Sequence, residues 1–165
     1  MPELINSDDL SAATNAVLSQ LVGIDELYPS QLMILNAIFE NDNIFYTGST
    51  NSGKTLPTVM YPEVLNQLNA HGYNFPKNPK SLFVTALNSL QLSLFNNTKS
   101  IGLHCDILTG ANAEDLLNST VFTLFISPET LKLPEVTRLL LEHRKSFVLK
   151  VIDEAHLGNY YLFYV

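Results

Sequence analysis

Gly48-Ser49-Thr50-Asn51-Ser52-Gly53-Lys54-Thr55 is the stretch that decides the fold, because it satisfies the pattern G-x-x-x-x-G-K-[ST] at every position. The β-branched and aromatic residues 43–47 precede it and predict a strand, and residues 56–68 follow it and predict a helix. A loop in this context wraps a phosphate chain with backbone N–H groups and a helix N-terminus. Gly48 and Gly53 supply the backbone freedom that such wrapping needs. A chance turn rich in Gly and Ser is the alternative, and the flanking elements weigh against it.

The side chains at the end of this loop have distinct expected roles. Lys54 is expected to reach the β- and γ-phosphates of a nucleotide, and the Thr55 hydroxyl is expected to take one position on Mg²⁺. An ATP·Mg²⁺ complex is therefore the expected cofactor.

An acidic pair follows the last predicted strand, 147–152. In phosphate-loop enzymes a carboxylate at the end of a neighbouring strand holds Mg²⁺, and an adjacent glutamate orients or deprotonates the attacking water. Asp153 and Glu154 fit these two roles, so Lys54 and Glu154 are the predicted catalytic residues. The alternative is a solvated pair of acids at a strand end.

The remaining pattern alternates strands with helices. Strands are predicted at 81–85, 104–108, 121–126 and 147–152, and helices at 7–21, 29–39 and 89–95, near 114–115 and over 131–141. This alternation predicts an α/β fold with a mainly parallel sheet whose ligands bind at the carboxyl ends of the strands.

Several local features carry further expectations. Ser7 is expected to cap the first helix, and Pro62 to kink or end the helix after the phosphate loop. Lys77 and Lys80 are expected to be solvated lysines of a loop. Lys150, inside the last strand, predicts an exposed strand start or a stem that reaches to solvent.

Composition limits the classes of partner. The chain of 165 residues is sized for one domain, and nine Lys and Arg against sixteen Asp and Glu give a net charge of −7. Nucleic-acid binding by bulk electrostatics is therefore not expected. Cys105 is the only cysteine, which excludes an internal disulfide. Neither a membrane-spanning run nor a secretory signal is visible, so an intracellular location and no membrane partner are expected.

Five segments together resemble the first RecA-like domain of superfamily 2 helicases, most closely the RecQ-like ones. They are Gly23–Gln31, Thr50–Thr55, Phe83–Leu90, Ile126–Leu131 and Asp153–His156, within a resemblance that runs from about residue 21 to 156. The resemblance implies a three-layer RecA-like P-loop NTPase domain with a mainly parallel sheet, ATP and Mg²⁺ as cofactors and 3′–5′ DNA helicase activity. Single-stranded or duplex-junction DNA, bound weakly, is the implied partner, and the nucleus is favoured over the cytoplasm.

The resemblance also assigns residues. Gln31 matches the adenine-binding residue, and the implied nucleotide-binding set is Gln31, Gly48, Ser49, Thr50, Asn51, Ser52, Gly53, Lys54 and Thr55. Thr55 and Asp153 are the implied metal ligands. The implied nucleic-acid contacts are Thr85, Ser89, Ser127 and Thr130.

The departures from the family pattern limit what is expected. Tyr28 stands where an arginine is usual, Ala86 replaces a proline, and 157–165 stands in place of an aromatic-rich loop. The expected organisation is a helical segment 1–22, an ATP-binding domain 23–156 and an atypical tail 157–165. The second RecA-like domain, which in this family supplies an arginine finger, is not among the 165 residues.

An ATP- and nucleic-acid-binding helicase core that is nearly inactive alone is therefore the main expectation, with a second RecA-like domain acting in trans as a partner. The alternatives are a non-catalytic nucleotide-binding regulatory module, a partial gene product, and an unrelated phosphate-loop ATPase.

Overall fold

The structure, a computed structural model, describes residues 5–41, 43–46, 53–85 and 88–153. Its elements in chain order are α1 (Ser7–Leu18), α2 (Pro29–Glu40), α3 (Thr55–Ala70), β1 (Lys80–Val84), α4 (Asn88–Ser100), β2 (Cys105–Ile107), α5 (Ala113–Asn118), β3 (Thr123–Ile126), α6 (Pro128–Leu131), α7 (Pro134–Glu142), a 3-10 turn at Arg144–Ser146 and β4 (Phe147–Ile152). None of the helices in these ranges is long and apolar enough to cross a membrane.

The four strands form one sheet in the order β2-β3-β1-β4, and every pairing is parallel. Each strand is joined to the next through at least one helix, as parallel pairing requires. The predicted α/β class with a parallel sheet is confirmed. β1 and β3 are buried along their whole length, in agreement with their apolar residues 82–84 and 124–126.

Helices cover both faces of the sheet, as in a three-layer α/β architecture. Phe83 and Phe125 point to the face covered by α1, α2 and α3, where the largest apolar cluster lies. Leu82 and Leu124, one residue earlier on each strand, point to the face covered by α5 and α7. Because α1 contributes Ala13, Val17 and Leu18 to the first cluster, the N-terminal helix is part of the same core.

Pro62 was predicted to kink or end the helix after the phosphate loop, and it lies inside α3 without ending it. Proline removes one intrahelical hydrogen bond and crowds the preceding turn. Here the helix is buried on both sides of the proline, with Met60 and Val64 each 0% exposed. Packing of α3 against the sheet offsets the local cost, so the helix continues to Ala70.

The strand predicted over 43–47 is not formed in the described residues 43–46, which have no regular secondary structure. Among the described strands none pairs with this segment, and Phe45 is 82% exposed. A β-branched and aromatic sequence favours a strand only where a neighbouring strand and a core face receive it.

Two smaller expectations are also corrected. Asn6, not Ser7, caps α1, because its side-chain oxygen accepts from the Asp8 N–H at 2.9 Å. Lys77 is exposed as expected, but Lys80 is 1% exposed and begins β1. Its ammonium donates to the carbonyl oxygens of Ser119 and Val121 at 2.9 and 2.6 Å, which supply the partners that a buried charge needs.

Candidate nucleotide-binding site

Helix α3 begins immediately after the glycine and lysine of the predicted phosphate loop. Gly53 has a φ of +68°, a conformation that glycine adopts without steric cost. Lys54 and Thr55 are half-buried at the first turn of this 16-residue helix. The exposed N–H groups of such a helix end carry partial positive charge, which suits an anion.

Gln31 contacts this helix start directly. It lies in the first turn of α2, is 4% exposed, and donates from Nε2 to the Gly53 carbonyl oxygen at 3.1 Å. Its Oε1 accepts from the Tyr28 backbone N–H at 2.8 Å. The two bonds link the entry of α2 to Gly53, 22 residues further along the chain, at the end of the predicted phosphate loop.

These contacts fix the orientation of one peptide group in the loop. The Gly53 carbonyl oxygen accepts from both Gln31 Nε2 and the Leu56 N–H, the latter at 3.2 Å. Because a trans peptide is planar, the N–H of Lys54 points opposite to that carbonyl and therefore away from Gln31. A Cβ added at Gly53 would overlap Gln31 Nε2, so the Gln31 amide would have to shift from its present position.

A second group of predicted residues lies at the carboxyl edge of the sheet. Thr85, Ser127 and Asp153 follow the last residues of β1, β3 and β4. The register pairs Val84 with both Ile126 and Ile152, so the three residues stand side by side. The Thr85 N–H donates to the Ile126 carbonyl and the Asp153 N–H to the Val84 carbonyl, both at 3.1 Å, which extends the ladder past the strand ends.

The predicted nucleic-acid contacts differ in accessibility. Ser127 caps α6 by accepting from the Thr130 N–H at 3.2 Å, and the two hydroxyl groups also lie 3.2 Å apart. The Thr85 side chain is 0% exposed, and its hydroxyl has no hydrogen-bond partner within the described ranges. Ser89, in the first turn of α4, is exposed.

Sequence reasoning missed Gln91, a buried residue of α4. With its amide oxygen turned toward β3, Gln91 accepts from the backbone N–H groups of Ser127 at 3.0 Å and Ile126 at 3.2 Å. It therefore positions the carboxyl end of β3 against α4. The only feature of the sequence that could have indicated this role is a polar residue on the side of α4 that faces the sheet.

The structure thus assembles two groups, Gln31 with Gly53 at the start of α3 and the three residues at the sheet edge. Helix α3 connects them, since it packs against β1, β3 and β4. Gly48, Ser49, Thr50, Asn51, Ser52 and Glu154 lie outside the described residues. A hydroxyl from Thr55 and a carboxylate from Asp153 are oxygen donors of the kind that Mg²⁺ prefers, and Mg²⁺ retains several waters, so few protein ligands are needed. Within the described residues no three His, Cys, Asp or Glu side chains form a metal cluster.

Comparison with protein-family models gives no match for this chain, and comparison with curated proteins gives none either. The interpretation of the site therefore depends on its own residues and geometry.

Proposed function

We propose that this chain is the ATP- and nucleic-acid-binding core of a RecQ-like ATP-dependent DNA helicase, with a RecA-like fold. The observation that carries the proposal is the hydrogen bond from Gln31 to the Gly53 carbonyl at 3.1 Å. It joins the segment that resembles an adenine-recognition motif to the phosphate loop, two features that a mere anion-binding loop does not require.

Each residue has a task that follows from its chemistry. The Lys54 ammonium neutralises charge on the β- and γ-phosphates, and the N–H groups at the start of α3 donate to the same oxygens. Thr55 and Asp153 hold Mg²⁺, which neutralises further phosphate charge when it is bound. Glu154 orients the attacking water and takes its proton.

Gln31 can read a base while it holds the loop. A primary amide has two N–H donors and two acceptor lone pairs. The contacts to Gly53 and Tyr28 use one N–H and one lone pair. The second N–H and the second lone pair match the adjacent acceptor and amino group on one edge of adenine, whereas guanine offers two acceptors there.

Calorimetry with ATP·Mg²⁺ tests the phosphate site. We expect Lys54→Ala to weaken ATP binding by roughly tenfold or more, since it removes a charge-assisted contact in a partly desolvated site. Lys77→Ala is the matched control, because it removes an exposed lysine from the loop between α3 and β1. Equal ATP affinity in the parent and the Lys54→Ala variant would refute the assignment.

Base preference tests Gln31 separately. We expect ATP to bind more tightly than GTP, and the preference to disappear in Gln31→Ala. A preference that survives the substitution would mean that other residues recognise the base.

A non-catalytic regulatory module is the second candidate, favoured by the net charge of −7 and by the presence of only two arginines, Arg138 and Arg144. Arginine fingers accelerate phosphoryl transfer by about 10³ to 10⁵. Arg138 is paired with Glu142 at 2.7 Å on the exposed side of α7, so it is engaged elsewhere. ATP turnover that single-stranded DNA stimulates and Glu154→Gln abolishes would favour the helicase core. Tight ATP binding without turnover, even with a second RecA-like domain added, would favour the module.

A further inference from the structure

Helix α2 is apolar on two opposite sides. Its inner side buries Ile34, Leu35 and Ile38 in the core. Its outer side is a shallow surface open to solvent, formed by Pro29, Leu32, Met33, Asn36, Ala37 and Glu40 and here called the α2 outer face. Leu32 is 46% and Met33 58% exposed. Neighbouring exposed Leu and Met side chains on one side of a helix are typical of a contact surface.

An exposed aromatic residue precedes α2 in the sequence and another follows it. Tyr28, immediately before α2, is 68% exposed, and Phe45, five residues after it, is 82% exposed. Met and aromatic side chains are over-represented at surfaces that bind other proteins, because Met adapts its shape to an apolar partner and aromatic rings bury a large apolar area.

The charge along the chain on either side of α2 has a single sign. Residues 1–53 contain seven of the sixteen acidic residues and none of the nine lysines and arginines, so this third of the chain accounts for the whole net charge of −7. Glu40 belongs to the α2 outer face, and Asp25 and Glu26 are exposed just before the helix. An apolar face with acidic residues at its ends complements an apolar helix that carries basic residues at its margins.

We propose that the α2 outer face is a docking site for a basic amphipathic helix of a partner protein, with apolar anchors on one side and Lys or Arg beside them. α2 has 12 residues and is thus about 18 Å long, which matches roughly three turns of a partner helix. Leu32, Met33 and Ala37 contact the anchors, and the acidic residues pair with the basic ones.

Charge disfavours the other occupants. A second copy of this chain would bring its own acidic face against this one. Residues 154–165 contain Glu154 and no lysine or arginine, so the chain's own C-terminal segment lacks the complementary charge. The proposal is independent of the nucleotide site, because Gln31 lies on the opposite, inner side of α2.

The test uses the full chain and a fluorescent amphipathic peptide of leucine and lysine, about 18 residues or five turns long. A scrambled peptide of the same composition, without an apolar face, is the reference. We expect the amphipathic peptide to bind, the scrambled one to bind much more weakly, and the affinity to fall as salt screens the charges. Fluorescence anisotropy measures both.

Three variants locate the binding site. Met33→Lys and Glu40→Lys should each weaken peptide binding by roughly tenfold, as central anchors and buried charge pairs do at interfaces. Leu92→Lys is the matched control, since Leu92 is 52% exposed on α4 and the substitution adds the same charge at another surface. Its effect should stay within about twofold.

Four outcomes would overturn the proposal. They are the absence of binding by the amphipathic peptide, equal binding of the scrambled peptide, an equal loss of affinity in Leu92→Lys, and no loss in Met33→Lys. If sedimentation showed that the parent is a dimer and that Met33→Lys is a monomer, a second copy of the chain would be the occupant instead. If the Phe163→Ser variant bound the peptide and the parent did not, the chain's own C-terminal segment would be the occupant of the α2 outer face.

Discussion

Gly53 and Gln31 constrain each other at the start of α3. A side chain at position 53 meets two separate obstacles, the φ of +68° and the approach of Gln31 Nε2 to the place where a Cβ would lie. Gly23 has nearly the same conformation, with a φ of +73°, but nothing lies within 4 Å of its added Cβ. Comparing alanine substitutions at the two glycines therefore separates the free-energy cost of the left-handed backbone from the cost of the clash with Gln31.

We predict that Gly53→Ala destabilises the protein by about 2 to 4 kcal/mol and Gly23→Ala by about 1 kcal/mol, since only the first adds a clash to the left-handed backbone. Urea unfolding measures both. Combining Gly53→Ala with Gln31→Ala should cost less than the sum of the single changes, because shortening residue 31 removes the clash. Equal losses at the two glycines would show that Gln31 does not limit position 53.

Lys80 shows what the sequence could not reveal at the residue scale. The neighbouring Pro79 and the polar residues before it indicate a loop, and a lysine in a loop is normally solvated. Its burial depends on the carbonyl groups of Ser119 and Val121, which lie 39 and 41 residues away. No local pattern encodes such a partner.

Burial lowers the pKa of Lys80 from 10.5 to about 8. Between these two values the unfolded chain binds more protons than the folded chain, so this lysine makes stability rise with pH. We predict that the stability of the parent relative to Lys80→Met increases by about 2 kcal/mol between roughly pH 7.5 and pH 10.

Urea unfolding of the parent and of Lys80→Met at the two pH values measures this difference in stability. Other groups that titrate in this range do not affect the difference. Burial raises the pKa of both Tyr61 and Cys105 to about 12, but the parent and the variant share them. Lys77→Met, at an exposed lysine, is the matched control. A pH-independent difference for Lys80→Met would mean that the Lys80 pKa is not lowered in the folded protein.

At the scale of elements, the sequence predicts what local periodicity and capping determine. Apolar runs and proline positions predict all four strands of the sheet and most of the helices, and the parallel sheet follows from their alternation. The single helix predicted over 131–141 is instead two, α6 and α7, because Pro134 begins a new helix. The strand predicted over 43–47 is absent from residues 43–46 because a strand needs a neighbouring strand to pair with. Pro62 does not end α3 because the burial of a helix can outweigh the low helix propensity of one residue. Predicted residues at strand ends meet at one edge, since parallel strands all end on the same side.

Helix α3 is held against the sheet by polar contacts as well as apolar ones. Glu63, 8% exposed, accepts from the His104 backbone N–H at 2.9 Å and lies 3.2 Å from the Nδ1 atom of the same residue. Thr123 donates from its hydroxyl to the Val59 carbonyl at 2.9 Å. These bonds fix how α3 crosses the strands and hence where its first turn lies.

We predict that Glu63→Leu costs about 2 to 3 kcal/mol, because it leaves the His104 N–H without its acceptor, whereas Glu63→Gln costs about 1 kcal/mol since its amide oxygen can still accept. Thermal or urea unfolding gives both values. Glu142→Leu is the control, because Glu142 is 53% exposed in its ion pair with Arg138 and should contribute less than about 0.5 kcal/mol. A loss at Glu63 as small as that at Glu142 would argue that the contact does not position α3.

At the scale of the whole molecule, charge divides the chain unevenly. Residues 54–165 contain nine acidic and nine basic residues and are neutral overall, while residues 1–53 carry the whole net charge. The exposed Ser89 and the α6 cap formed by Ser127 and Thr130 belong to the neutral part. Phosphate contacts there would come from hydroxyl and backbone N–H groups, which neutralise no phosphate charge.

We therefore predict weak binding of single-stranded DNA with little salt dependence. Each neutralised phosphate contributes about 0.7 to the log–log salt slope on single strands, so contacts from one or two lysines beside these groups would give a slope of about 0.7 to 1.4. Asp25→Asn with Glu26→Gln should raise the affinity about two- to threefold at low salt and have no effect near 1 M salt, where the screening length is about 3 Å. Both substituted residues are exposed, so their replacement leaves the core unchanged. A slope that corresponds to six or more neutralised phosphates would require a basic surface that this distribution of charge does not provide. Such a slope would mean that DNA binds to a group of lysines and arginines and not to the strand-end residues.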